Sequence, residues 1–192
     1  AVDALGYVCT GRLLALNSYE NRVYQIETEE GVGIIAKFYR PGRWNLSSLK
    51  EEHQFILDCA NQEIPVVAPV ILSSGSTLGK WKDCYFTLFP KKSGRELLLE
   101  SDAVWRRLGS LIGRMHLVGM KRSAANRLIM HPTSTTIPQR DKLLSGGWMS
   151  KTRARDFSSV IDEIVEIALP LFKDIKMHRI HGDCHRANIL ER

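Results

Sequence analysis

The hydrophobic pattern of this chain changes period part-way along, and that change bounds the folds open to it. Up to about Phe89-Pro90 the apolar residues come in short runs rich in β-branched and aromatic side chains. Two of them, Arg22 to Thr28 (RVYQIET) and residues 32–39 (VGIIAKFY), flank Glu29-Glu30-Gly31, the arrangement of a β-hairpin. One helical stretch intervenes, where Leu49, Phe55, Ile56, Cys59 and Ala60 form an apolar stripe that Ser47 or Ser48 can cap. Pro65 and Pro69 close it, and strands around residues 68–73 and 84–89 would complete a small sheet. Beyond Pro90 the spacing turns helical. Ser101 caps a helix carrying Trp105, Leu108, Ile112 and Met115, with Gly119 near its end, and a second helix carries Phe157, Val160, Ile161, Ile164, Val165, Ala168 and Leu171. Residues 122–147 between them are polar, contain Pro132 and Pro138, and read as a long connection with limited regular structure. The pattern predicts an α+β fold of two lobes. Residues 1–89 make a small antiparallel sheet with one helix; residues 90–192 make a hinge and a mainly helical lobe.

Composition removes several function classes. With 44% hydrophobic residues in 192, the chain can bury a sizeable core. The net charge of +6 is spread in pairs such as Lys91-Lys92, Arg106-Arg107 and Lys121-Arg122, which read as solvated helix faces, and Trp44, Trp81, Trp105 and Trp148 are not spaced as a base-stacking platform. No nucleic-acid partner is expected. Cys9, Cys59, Cys84 and Cys184 are dispersed with no Cys-x-x-Cys pair, which points to reduced thiols in the cytoplasm. No apolar run approaches a membrane span, and the opening Ala-Val-Asp shows no secretion signal, so no membrane association is expected. A monomer is the expected state.

The chemistry concentrates in His181-Gly182-Asp183-Cys184-His185-Arg186-Ala187-Asn188-Ile189-Leu190. An Asp followed five residues later by an Asn is what ATP-dependent phosphoryl transfer needs: a carboxylate to orient a hydroxyl and an oxygen ligand for Mg²⁺. Asp183 suits the first task and Asn188 the second. Two other readings compete. His181, Asp183, Cys184 and His185 are all transition-metal ligand types, and Cys184 with His185 could form a nucleophilic pair. The loop lacks the helical face an i,i+4 histidine pair needs, and sequence neighbours rarely face each other well, which puts kinase chemistry ahead. Upstream, Lys37 is the single cation on the strand Ile34-Ile35-Ala36-Lys37-Phe38, where a kinase places a phosphate-binding Lys. Glu52 lies inside the apolar stripe of its helix, where a lone charge is costly, which makes it the partner of Lys37; Glu51 falls off that face and reads as solvated. The turn Asn17-Ser18-Tyr19-Glu20-Asn21 would face the phosphates without a glycine, leaving side chains such as Ser18 to help. His116 reads as a packing residue.

Together these segments resemble the aminoglycoside phosphotransferase/choline kinase superfamily, whose catalytic loop reads His-Gly-Asp-x-x-x-x-Asn. Within it, Leu16 to Gln25, Lys37-Phe38-Tyr39-Arg40-Pro41 with Arg43-Trp44, Glu51 to Phe55, Leu111 to His116 and the loop are similar to the bacterial stress response kinase A family of serine/threonine protein kinases. The resemblance implies ATP between two lobes, adenine near Leu88 to Pro90, Lys37 and Glu52 as an ion pair, and Ser18 in the phosphate loop. It further implies Asp183 as catalytic base, Asn188 as Mg²⁺ ligand, His185 at the γ-phosphate, and a protein Ser/Thr as acceptor. A small hydroxyl compound such as an aminoglycoside, choline or homoserine is the alternative acceptor, and a non-catalytic nucleotide-binding module the alternative role. Family members continue into a second metal-binding Asp and further helices, whereas this sequence stops at Arg192; a C-terminally truncated chain is expected.

Overall fold

In the computed structural model, which describes residues 2–191, the expected hairpin forms the middle of a five-stranded antiparallel sheet. Its strands are β1 (Cys9–Leu16), β2 (Arg22–Thr28), β3 (Gly33–Phe38), β4 (Gly79–Trp81) and β5 (Cys84–Pro90), in the order β1-β2-β3-β5-β4. Register decides what each face carries. Val23 pairs with Lys37 and Lys37 with Thr87, so Val23, Lys37 and Thr87 share one face with Gln25, Ile35 and Phe89. The other face packs Ile26, Ile34, Ala36, Phe86 and Leu88 with Val2 and Leu72 into a core, and Phe38 stacks on Phe86 at 5.5 Å. Four helices follow the sheet's pattern of insertion and succession: α1 (Leu46–Asn61), α2 (Asp102–Met120), α3 (Thr136–Ser145) and α4 (Lys151–Ala168). Two short strands, β6 (Arg95–Glu96) and β7 (Leu190–Glu191), pair with each other.

Helix α1 covers the Lys37 side of the sheet. Its Leu49 packs with Tyr39 and Leu78 against Trp44 and Tyr85. Its C-terminal half, with Ile64 just beyond it, packs on α2 in a cluster of Cys59, Ile64, Met115 and Val118, with Phe55 and Leu111 alongside. Asn45, not Ser47 or Ser48, caps α1: its Oδ1 accepts the Ser48 N–H at 2.8 Å. Ser48 is spent elsewhere, donating its hydroxyl to the Asn126 carbonyl at 2.6 Å. Ser101 caps α2 as expected.

Two expectations from sequence need correcting. Residues 68–73 form no strand: Pro69 has no N–H to give a ladder, and the segment reaches β5 through the Val70 N–H to the Leu88 carbonyl at 2.8 Å. Residues 122–147 include α3, because Pro138 stands in the first helical turn, whose N–H groups have no intrahelical partner to lose.

The chain packs as two units, residues 1–126 with 178–192, and residues 127–177. The first holds the sheet, α1, α2 and the loop with Asp183. The second holds α3 and α4, where Arg140 bridges Asp141 at 2.8 Å and also pairs with Asp162, and His131 meets the Phe172 ring at 5.1 Å. The expected lobe division at residue 89 falls within the first unit.

Candidate active site

Two groups of polar residues assemble in the first unit. On the sheet, β3 sends Lys37 toward α1, and its Nζ meets Glu52 Oε1 at 3.1 Å. Both side chains are about three-quarters buried (24% and 23% exposed), deep enough for the pair to hold its geometry and open enough for Lys37 to meet a solute. The stripe argument for Glu52 therefore gives the observed pairing. Glu51 is not merely solvated: it takes the Asn126 backbone N–H and side-chain amide, each at 2.8 Å.

Behind Glu52 runs a chain of hydrogen bonds that the sequence pattern did not disclose. Tyr39 donates its hydroxyl to Glu52 Oε1 at 3.3 Å and lies 2.7 Å from His53 Nε2, while His53 Nδ1 lies 2.7 Å from the Thr77 hydroxyl. A neutral imidazole carrying its proton on Nε2 satisfies all three at once, with Thr77 donating to Nδ1 and Nε2 donating to the Tyr39 oxygen. The ring of Tyr39 also lies 4.7 Å beneath the Lys37 ammonium, so one buried tyrosine touches both members of the ion pair. The available signal was the position of His53 on the α1 stripe, four residues after Leu49.

His53 is 1% exposed, and its pKa is pushed down to about 4: burial opposes the charged form, Glu52 counters in part, and Lys37 adds to the lowering. The unfolded chain protonates this group near 6.5. Between those values the unfolded state therefore binds a proton that the folded state refuses, and stability falls as pH falls. At about 1.4 kcal/mol per pH unit, the loss from pH 6.5 to 4 comes to about 3 kcal/mol. Urea midpoints measured at pH 7, 5.5 and 4 should show this slope, and His53→Gln should flatten it; a wild-type midpoint that holds steady over the window would refute the assignment.

The second group is the loop after residue 180. Gly182 takes the left-handed backbone (φ 76°) that turns the chain at this point. A short 3₁₀ turn over Arg186–Asn188 then brings Asn188 back onto Asp183, its Nδ2 donating to the Asp183 carbonyl at 2.8 Å and to Oδ2 at 3.1 Å. His185 Nε2 lies 3.2 Å from the same amide and 3.7 Å from Asp183 Oδ1. The Asp183 and His185 side chains are exposed, so the carboxylate is open to a reactant. Glu191 pins the end of the loop by ion pairs to Arg95 at 3.3 Å and Arg107 at 2.9 Å. Among the described residues no three His, Cys, Asp or Glu side chains converge on a possible metal position, so His181, Asp183, Cys184 and His185 are not drawn together as a ligand cluster. A carboxylate beside a carboxamide offers hard oxygen donors, the set that suits Mg²⁺.

The remaining expected residues fall as follows. Ser18 closes its turn by accepting the Asn21 N–H at 3.3 Å, and the turn is tied to the segment before α1 by Glu20 and Arg43 at 2.9 Å. Pro90 ends β5 opposite Ile34, half-buried. Leu88 is wholly buried in the core on the face away from Lys37, so its side chain belongs to the fold, and a nucleotide could meet only the backbone there. His116 packs edge-on against His178 at 5.1 Å.

Residues 12–191 match the model of a family described as phosphotransferase enzymes. The chain belongs to that family. Stress response kinase A of Escherichia coli K12 is 36% identical over 181 residues, 94% of this chain and 55% of that protein. A serine/threonine protein kinase RdoA of Salmonella typhimurium LT2 is 32% identical over 195 residues, covering 100% of this chain and 59% of that protein. The chain thus spans little more than half the length of these relatives. Among solved structures, an amicoumacin kinase, hAmiN, superposes with a TM-score of 0.71 at 18% identity, over 97% of this chain and 57% of that one. A microcompartment-associated aminopropanol kinase gives 0.67 at 19%, over 98% and 62%. The kinase-like fold is shared with both.

Proposed function

We propose that this chain carries the nucleotide-binding sheet and catalytic loop of a kinase that transfers the γ-phosphoryl group of ATP to a Ser or Thr hydroxyl of a protein. The observation that carries the reading is the Lys37–Glu52 pair at 3.1 Å, a cation held at a sheet face by a carboxylate that is itself held by Tyr39. Lys37 binds the α- and β-phosphates, and Glu52 keeps its ammonium extended toward them. Ser18 and its turn lie over the phosphates, and the adenine rests against the end of β5 near Pro90. Asp183 orients the acceptor hydroxyl and takes its proton as the oxygen bonds to Pγ and the bond from Pγ to the β–γ bridging oxygen breaks, releasing ADP. Asn188 would hold Mg²⁺ with Asp183 close by, and that ion would supply positive charge against the phosphate oxygens. His185, beside Asp183, reaches toward the γ-phosphate.

A protein acceptor is favoured by identity: the relatives above 30% bear protein-kinase or stress-kinase names, while the structures named for small acceptors share the fold at under 20%. A cytoplasmic setting agrees with four unpaired cysteines, and among the described residues no helix is long and apolar enough to cross a membrane. Labelled ATP with Mg²⁺, offered to the full-length protein with a generic Ser/Thr protein substrate and, separately, with an aminoglycoside, choline and homoserine, tests the reading. Label on Ser or Thr is expected; label confined to a small compound overturns the acceptor, and no transfer to any of them overturns the reaction. In the same assay Lys37→Met should lower kcat/KM about a hundredfold or more, the scale of losing one preorganised charge at a reacting phosphate. Glu52→Gln, which weakens a charge-assisted hydrogen bond, should cost roughly tenfold.

A further inference from the structure

Four residues before Asp183, the chain makes a buried contact that the reaction as described does not use. Arg179 is 8% exposed, and its guanidinium spans two helices. Toward α1, Nη1 donates to Asp58 Oδ2 at 2.7 Å, and the plane lies 4.8 Å over the Phe55 ring. Toward α2, Nη2 donates to the Val118 carbonyl at 3.1 Å and Nε to the Gly119 carbonyl at 3.4 Å. These carbonyls stand at the C-terminal end of α2, where the helix dipole favours a cation. Asp58 is fixed in turn by Gln54 at 2.8 Å and has Arg122 3.6 Å away. Burial pushes the Asp58 carboxyl up, but the Arg179 and Gln54 hydrogen bonds and the two arginine charges outweigh it and hold the group below the usual carboxylate range. The backbone is as closely fitted as the side chain: a Cβ on Gly119 would stand 2.1 Å from the Arg179 carbonyl oxygen.

The two ends of this contact belong to the two halves of the proposed machinery. Asp58 lies on the helix that presents Glu52 to Lys37, and Arg179 leads directly into the loop that presents Asp183 and Asn188. A long flexible cation would serve a stability role as well as a planar one; a fork shared by one carboxylate and two carbonyls fixes orientation too. We propose that Arg179 is a positioning residue, which through Asp58 sets the Asp183 loop at a defined distance and angle from the helix that holds Glu52. This rests on the kinase reading above. Alignment of Asp183 with a phosphate held at Lys37 then depends on a side chain that touches neither, and small misplacements of reacting groups carry large losses in rate.

The test uses the full-length protein with Arg179→Lys, which keeps the charge and loses the fork, and Asp58→Asn, which keeps the shape and loses the charge. Each is assayed at a temperature where circular dichroism shows it folded. Expected for both is a kcat at least tenfold below wild type with the KM for ATP within about twofold, and a double variant no slower than the slower single one. Hydrogen exchange supplies a readout independent of turnover. The amides of His185, Asn188 and Ile189, bonded within the loop at 3.0, 2.9 and 3.0 Å, should exchange at least tenfold faster in Asp58→Asn, while those of β3 and β5 keep their protection. A folded Arg179→Lys protein with wild-type kcat overturns the proposal, as does exchange that rises equally in the loop and the sheet. An inactive wild type would refute the kinase reading instead, and the exchange pattern would then decide the coupling by itself.

Discussion

Asp183→Asn is expected to lower kcat by about a thousandfold while leaving ATP affinity within a few-fold of wild type. The substitution changes one atom type and no volume. Asn188, which donates to Asp183 at both the backbone carbonyl and Oδ2, keeps the first bond outright and finds an amide oxygen for the second, so the loop retains its shape. In the proposed reaction, what disappears is the group that would take a proton from the acceptor hydroxyl, together with the negative charge that would orient it, and general base catalysis of this kind is worth about 10²–10⁴. Single-turnover transfer, measured beside the binding of a fluorescent ATP analogue, separates the two quantities. Equal turnover by the two forms would remove Asp183 from the mechanism; loss of nucleotide binding in step with turnover would make it a structural residue of the loop.

Gly119→Ala should be among the most damaging single-methyl changes in the chain. The methyl would meet a backbone carbonyl oxygen at 2.1 Å, and carbonyls, unlike the tips of side chains, cannot swing aside. Either the last turn of α2 or the segment through Arg179 must move by about an ångström, in a region where Val118 and Met115 are buried in the α1–α2 core. Overpacking of that severity costs about 3 kcal/mol, and for a domain of this size roughly 10 °C in Tm. Thermal unfolding of Gly119→Ala beside Gly109→Ala, where the new methyl has no neighbour within 4 Å, makes the comparison. The second substitution should be neutral or mildly stabilising, since alanine is the better helix former. Similar melting of the two variants would show that the segment through Arg179 is less tightly seated than its geometry implies.

The parts of this fold that were legible in sequence are those whose reasons are local. β2 falls on Arg22–Thr28 as read, and α2 begins after Ser101, because alternation and capping each need only a handful of neighbours. Glu52 was legible for a different reason: a charge in an apolar stripe is an unpaid cost until a partner is found, and Lys37 was the strand cation within the same half of the chain. β1 was harder, since its register against β2 shifts between Cys9 and Leu13 and nearly all of it is exposed, leaving no clean alternation. The assignment of Glu51 to solvent failed because its partner, Asn126, is 75 residues away and donates partly from the backbone. The relay from Thr77 through His53 and Tyr39 was legible only at His53, by its place on the α1 stripe; its two partners come from other segments, and only the folded chain brings the three together. Arg179 is the extreme case, 121 residues from Asp58 and lost to inspection among many surface arginines.

The places where the 127–177 unit leaves and rejoins the rest of the chain have a consequence for changes of length. Asn126, the last residue before it, is clasped by Glu51 and Ser48; Arg179, just after it, is clasped by Asp58. Both clasps are on α1, so the places where the chain leaves and returns are each held by side chains of one helix. Lengthening a segment whose ends are already fixed is cheap, about 0.6 kcal/mol for each doubling. Changes of length in the stretch between the clasps are therefore expected to leave the residues on either side in place.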